Sequence, residues 1–366
     1  MMKLKLSLVV MGIFVLLGCQ EKKEPMKTYD LFVGTYTDGD SKGIYKFQFN
    51  PSAGTLDSMQ LMAELVNPSF LAISVDKKNL YAVQETADFD SLGGGVTSFA
   101  LVNNKLELLN SKGTGGAHPC HVALSDNGQL AASNYTGGNL AIFDLASDGS
   151  LADRQVLDHK TADTLIVPHV HKAHFNEDEL FVADLGLDAV KRYNKQPYGW
   201  VAAHQASINM EKGVGPRHFT FNQNRTFLYI INELNSSITV LKRDDEGSYN
   251  EIETQSTLAE GFEGESFCAD IHLSEDGKFL YGSNRGENTI VVFAVDQDNG
   301  KLTTIGRTSV NGDWPRNFTM DPSGNYLLVA NQRSNNITVY NRDVEKGTLT
   351  FLNEMKMGSP VCLVFK

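Results

Sequence analysis

The sequence predicts an all-β chain closed into a ring: a seven-bladed β-propeller with four antiparallel strands per blade. Three observations predict it. A strand motif recurs at a nearly constant interval, a fixed pattern of proline and turn residues surrounds it, and the two ends of the chain carry complementary, incomplete units.

The motif is a short apolar strand. It reads LFVGTY from Leu31, LYAVQE from Leu80, LAASNY from Leu130, LFVADL from Leu180, LYIINE from Leu228, LYGSNR from Leu280 and LLVANQ from Leu327. Successive intervals are 49, 50, 50, 48, 52 and 47 residues, and a steady period of this length marks a repeat architecture.

Each unit opens on an x-Pro step: Asn67-Pro68, His118-Pro119, Val167-Pro168, Gly215-Pro216, Trp314-Pro315 and Ser359-Pro360. The sixth unit has Cys268 in that place. Proline suits the first residue of a strand, where no ladder donor is needed. An alternating strand follows, then a turn such as Asp126-Asn127-Gly128 or Glu275-Asp276-Gly277, then the motif strand. A third strand, such as Ile238 to Leu241 or Ile290 to Phe293, leads through a second turn (Asp298-Asn299-Gly300, Glu345-Lys346-Gly347) to a weaker fourth. Such turn triplets between apolar runs are hairpin signals.

The chain ends on an opening strand, Pro360 to Phe365, with no second strand after it, and begins its repeats at Leu31 with a second strand that has no opening strand before it. The ends are therefore expected to share one blade and close the ring, whereas a solenoid would carry complete, polar-capped end units. The 366 residues thus form one closed unit over 29–366 and not several domains.

Residues 1–18 read as a lipoprotein signal peptide. Lys3 and Lys5 precede an apolar run from Leu6 to Leu17, too short to span a bilayer as a helix. The run ends in Leu16-Leu17-Gly18-Cys19, similar to a lipobox, which makes Cys19 the expected lipidation site and 19–28 a tether. The expected location is exported and membrane-anchored, periplasmic or outer-membrane associated. Cys120, Cys268 and Cys362 remain, an odd number expected as buried free thiols.

Composition narrows the function. Lys+Arg 32 against Asp+Glu 44 gives a net charge of −12, the opposite of a nucleic-acid binder's basic footprint. No HExxH or CxxC pattern occurs. No metal, cofactor or obligate protein partner is expected.

In a four-stranded meander the start of strand one and the end of strand two share an edge, so in a propeller they converge on one mouth of the central channel. The residue after each proline is Ser69, Cys120, Arg217, Arg316 or Val361, and strand alignment puts His171 there in the fourth blade. The second strands end at Tyr36, Glu85, Tyr135, Asp184, Glu233, Arg285 and Gln332. The mouth thus gathers three arginines, carboxylates and the histidines His118, His121, His169, His171 and His218. Opposite charges in a semi-enclosed pocket orient an anionic ligand and tune proton affinities. The structural alternative is that Arg217, Arg285 and Glu233 pair between blades and only hold them together.

PHVHKAHF (168–175), DLGLD (184–188), GVGPRHFTF (213–221), INELNSSITV (231–240) and LYGSNRGENTIVVF (280–293) resemble the bacterial 6-phosphogluconolactonase family of propellers, which includes fungal carboxy-muconate cyclases. The resemblance runs from about Tyr29 to the end of the chain. It implies a His, two Arg and a Glu in catalysis, which fall on His171, Arg217, Glu233 and Arg285. His121, His169, Asp184, His218, Arg316 and Glu85 complete the mouth as expected substrate contacts. The expected reaction is hydrolysis of a small anionic sugar lactone by acid–base catalysis with arginine clamping. A muconate-type cycloisomerase and a non-catalytic binding propeller are the alternatives.

Overall fold

The computed structural model describes residues 28–366. The expected signal peptide, Cys19 and nearly all of the tether lie outside the described residues. Seven four-stranded antiparallel sheets surround a channel, and no helix occurs among the described residues. Blade 1 is built from 29–64 with 360–365, and blades 2 to 7 follow in chain order. The last strand, Pro360–Phe365, pairs antiparallel with Tyr29–Thr35 in the register Leu31↔Phe365 to Thr35↔Pro360. Ring closure through the two ends is therefore as expected. Tyr29 and Phe365 stand at the end of this ladder remote from Thr35.

The inner strands are Leu71–Ile73, Pro119–Leu124, Val170–Asn176, Pro216–Phe221, Phe267–Leu273, Pro315–Met320 and Pro360–Phe365, each against its neighbours around the ring. Second strands read as near-continuous apolar runs because both of their faces are covered. Tyr229 and Ile231 pack against Ile271, Leu280 and Val291 of blade 6. Their neighbours Leu228 and Ile230 pack the other way, against Phe181 and Ala183 of blade 4. The core is thus a set of layers between blades, and burying each such side chain stabilises by about 1.5–3 kcal/mol. Outer strands such as Leu302–Ser309 are mostly open to water beyond their first residue, as expected of a sheet edge.

A turn glycine locks each of several blade pairs. Gly300 (φ 76°) and Gly347 (φ 74°) lie so close to the rings of Phe227 and Phe279 of the preceding blade that a Cβ would collide. Their carbonyls accept the hydroxyls of Tyr229 (3.2 Å) and Tyr281 (2.9 Å). The turn triplets seen in the sequence therefore set blade-to-blade spacing as well as reversing the chain.

Candidate active site

Two repeated backbone devices build one mouth of the channel. The residue before the proline adopts a left-handed conformation at Asn67 (φ 44°), His118 (55°), Gly215 (63°), Trp314 (65°) and Ser359 (40°). For a non-glycine residue this is strained, and strain of this kind costs about 1–3 kcal/mol. Its carbonyl turns to accept the N–H of the residue just past the second strand: Glu85 (3.0 Å), Tyr135 (2.9 Å), Glu233 (2.7 Å), Gln332 (3.1 Å) and Tyr36 (3.1 Å). The second device is a bulge. In six blades the inner strand carries one residue more than its partner beside the mouth, and a bulge re-aims side chains. The skipped residues are Val361, Cys120, His171, Arg217 and Arg316. In blade 6, Ala269 and Asp270 together face only Ser283.

These two positions supply every wall of a cavity of about 260 Å³, lined by Tyr36, Glu85, Cys120, Tyr135, His171, Glu233 and Arg316. A larger hollow of about 670 Å³ at the opposite face, between Ser74 and Gly149, is lined by turn and strand-end residues and gathers no basic groups.

At one pole Glu233 holds two guanidiniums. Arg217 Nε lies 2.9 Å from Glu233 Oε2, an ion-pair approach without hydrogen-bond alignment, and Arg285 Nη2 lies 2.9 Å from the same oxygen. Arg217, only 2% exposed, also donates to the Ala269 carbonyl. Arg285 donates to the carbonyls of Phe267 and Cys268 and lies over the Trp314 ring. Burial pulls Arg285 down to about 10, still cationic at neutral pH.

At the other pole Glu85 accepts hydrogen bonds from Tyr36 (2.9 Å) and Ser69. Arg316 lies over the Tyr36 ring, 5.4 Å from its centroid. Among the described residues its guanidinium makes no hydrogen bond or ion pair. Burial disfavours its charge, but Tyr36 and Glu85 outweigh that and raise its proton affinity. Arg316 is the mouth arginine with donors to spare.

His171 projects between the poles. Burial, then Arg217, hold it well below the ordinary imidazole range, so it is neutral at pH 7. The Cys120 thiol is pushed up by burial and then by Glu85, the reverse of an activated nucleophile. Cys120, Cys268 and Cys362 are all free and buried, as expected.

The structure brings His171, Glu233, Arg316 and Glu85 together at the cavity, with Arg217 and Arg285 joined to it through Glu233. The remaining expected contacts separate. His169 stacks on Tyr135 at 4.5 Å and faces the Tyr135 carbonyl. His118 pairs with Thr136 at the surface. His121 and His218 lie one layer deeper in the channel, their rings 5.6 Å apart, with His218 Nδ1 2.7 Å from Asp270. Asp184 requires a correction. It pairs with Val170, as Asn232 pairs with Pro216, so the residue in the Glu233 position is Leu185. Asp184 is fully buried, its oxygens taken by His159 Nδ1 and the N–H groups of His169 and Leu187. It fixes the loop and does not line the cavity. Asp270 escaped the sequence reading, because the sixth unit lacks the proline that marks the position.

A closed propeller whose charged and titratable side chains converge on one mouth is the class that fold and site define. The chain belongs to the lactonase family of seven-bladed β-propellers: residues 30–365 match the family described as "Lactonase, 7-bladed beta-propeller". It is 34% identical to a 6-phosphogluconolactonase of Bacillus subtilis over 81% of this chain and 86% of that one. It is 36% identical to a 6-phosphogluconolactonase of Formosa agariphila, over 80% and 87%. The structure of a periplasmic gluconolactonase from Pseudomonas aeruginosa superposes with a TM-score of 0.87 at 33% identity, covering 93% of this chain and 99% of that one.

Proposed function

We propose that the protein hydrolyses an anionic sugar lactone to the open hydroxy acid. The observation that carries this reading is a neutral imidazole, His171, set between a Glu233-held arginine pair and an unpaired Arg316 in one small cavity. His171 takes a proton from water as the water oxygen bonds to the lactone carbonyl carbon. Arg217 and Arg285, held at the cavity edge by Glu233, place their positive charge beside the oxyanion that develops. The ring C–O bond then breaks, and the proton passes to the leaving ring oxygen. Arg217 and Arg285 are occupied by Glu233 and by backbone carbonyls. The clamp on the substrate's anionic group therefore falls to Arg316, whose planar fork suits carboxylate or phosphate.

The names borne by the relatives support a lactone as substrate, and the periplasmic neighbour supports an exported one that need not be phosphorylated. Acid release by the purified protein, followed with a pH indicator on 6-phosphogluconolactone and on gluconolactone side by side, tests the reading. Acid release from either above the spontaneous rate supports hydrolysis. Turnover of neither, with conversion of a carboxylated muconate, would make it a cycloisomerase instead. Saturable binding without turnover of any of the three would make it a binding platform.

A further inference from the structure

Below the mouth the channel holds a second group of side chains, centred on buried Asp270 and His218, that the reaction as proposed does not use. Asp270, 2% exposed, accepts from His218 Nδ1 (2.7 Å), His272 Nε2 (3.0 Å), Asn317 Nδ2 and the backbone N–H groups of Ile271 and Phe318. A carboxylate this heavily solvated by donors is an acceptor only. It therefore requires the proton of His218 on Nδ1, which leaves His218 Nε2 as a lone pair.

That Nε2 is buried without a hydrogen-bond partner, and so is His171 Nδ1. The two rings are in contact, centroids 5.0 Å apart and edge to face at 69°. His121 Nδ1 is orphaned as well, but its ring lies farther from His218, at 5.6 Å; on the nearer pair, with His218 Nε2 an obligate acceptor, the proton is called for on His171 Nδ1. A modest ring rotation or one bridging water would join them, and leaving both unpaired in a buried site would be costly.

We propose that Asp270 and His218 are positioning residues for His171. Asp270 fixes the His218 tautomer, and His218 fixes His171 with its proton on Nδ1, so that His171 Nε2 meets the substrate water as the base. When His171 gains the proton of that water, its Nδ1–H strengthens the bond to His218, and the Asp270 charge stabilises the imidazolium across the relay. This is the logic by which a buried carboxylate orients a catalytic histidine, here with a second imidazole interposed. The charged and titratable neighbours of His218 are Arg217 beside it, His121 and His171 across the channel, Lys172, and Asp270. Asp270 is the carboxylate in that set. The proposal rests on the lactonase reading for its catalytic meaning but not for its geometry.

The test uses the full-length protein labelled with ¹⁵N-histidine. Long-range ¹H–¹⁵N spectra report which ring nitrogen carries each proton and need no substrate. The wild type is expected to show both His218 and His171 protonated on Nδ1, and Asp270→Asn to move His218 to the other tautomer. In parallel, kcat of folded Asp270→Asn is expected to fall toward the whole contribution of a positioned base, about 10²–10⁴-fold, with KM little changed. A wild type with His218 protonated on Nε2 overturns the proposal, and this result is available even if the variant fails to fold. Wild-type kcat in folded Asp270→Asn overturns it while leaving the lactonase reading intact. The expected tautomers in a protein without lactonase activity keep the relay and discard the substrate.

Discussion

Arg217 and Glu233 come from two strands of one blade and meet at 2.9 Å because each is set by a backbone irregularity. Arg217 is the bulged residue after Pro216, and Glu233 is held by the carbonyl of left-handed Gly215. The dipeptide Gly215-Pro216 thus fixes both members of the pair, and Arg285 joins them from the next blade.

Arg217→Ala is expected to lower lactonase kcat by about 10²–10³, the typical cost of losing one group that stabilises the oxyanion. It also leaves Glu233 with one guanidinium in place of two, so the melting temperature should fall. Arg217→Lys should restore little, because an ammonium cannot reach Glu233 and the Ala269 carbonyl in the same fork. Steady-state kinetics with a melting curve on each variant checks this, and wild-type turnover in folded Arg217→Ala would sink the assignment.

Arg316→Ala is expected to act on affinity. A hydrogen bond to a charged group contributes about 1.5–3 kcal/mol, so KM for a lactone with an anionic substituent should rise roughly 10–100-fold. A neutral lactone should be nearly unaffected. Equal effects on both substrates would show that Arg316 is not the clamp.

Cys120 lines the cavity yet is expected to be inert. Its thiol is pushed up by burial, and Cys268 and Cys362 are pushed up to about 12 in the same way. A thiol reagent at pH 7.5 should label none of the three until denaturant is added. Cys120→Ala should keep turnover within a few-fold; a loss of several orders of magnitude would point to covalent catalysis.

Acid should unfold the protein through its channel. Burial holds His218 at about 3 and His174 at about 4, and keeps His121 and His171 well below the ordinary range. Unfolded imidazoles take up protons from about pH 6.5 downward, so below that pH the unfolded state binds more protons and stability declines. Asp270 adds the same sign at lower pH. Burial pushes its carboxyl up, but His272 and His218 together hold it well below the ordinary carboxylate range. Its contribution is present above that range and disappears as pH falls through the folded value. Calorimetric melting temperatures should be flat from pH 8 to 7 and drop steadily from about 6.5 toward 4. A melting temperature that rises on acidification would refute this.

The ring was legible because its period is carried by residues with a single backbone meaning: prolines at inner-strand starts and glycines in turns. Even the anomalous sixth unit aligns, since Cys268↔Asn284 repeats the register of Pro216↔Asn232. What escaped was one-residue detail. In a strand a shift of one residue exchanges faces. Taking Asp184, and not Leu185, as the mouth residue of the fourth second strand therefore turned a buried loop anchor into an apparent site residue. Bulges leave no mark of their own in sequence, so the mouth positions are legible there but not the layer beneath, where His121, His218 and Asp270 meet. The spare capacity of Arg316 was also out of reach, because pairing between blades decides which arginine is free.

The chain enters the ring at Tyr29, on the floor of the propeller, while Tyr36, just past the far end of the same strand, stands in the mouth. We propose Cys19 as the lipid-bearing residue. The ten residues from Cys19 to Tyr29 can reach at most about 35 Å. An anchor there would moor the ring by its underside, so that the opening looks away from the bilayer. Substrate would then arrive from the aqueous compartment and product would return to it. The side of attachment would follow from the direction of a single strand, whichever leaflet carried the lipid.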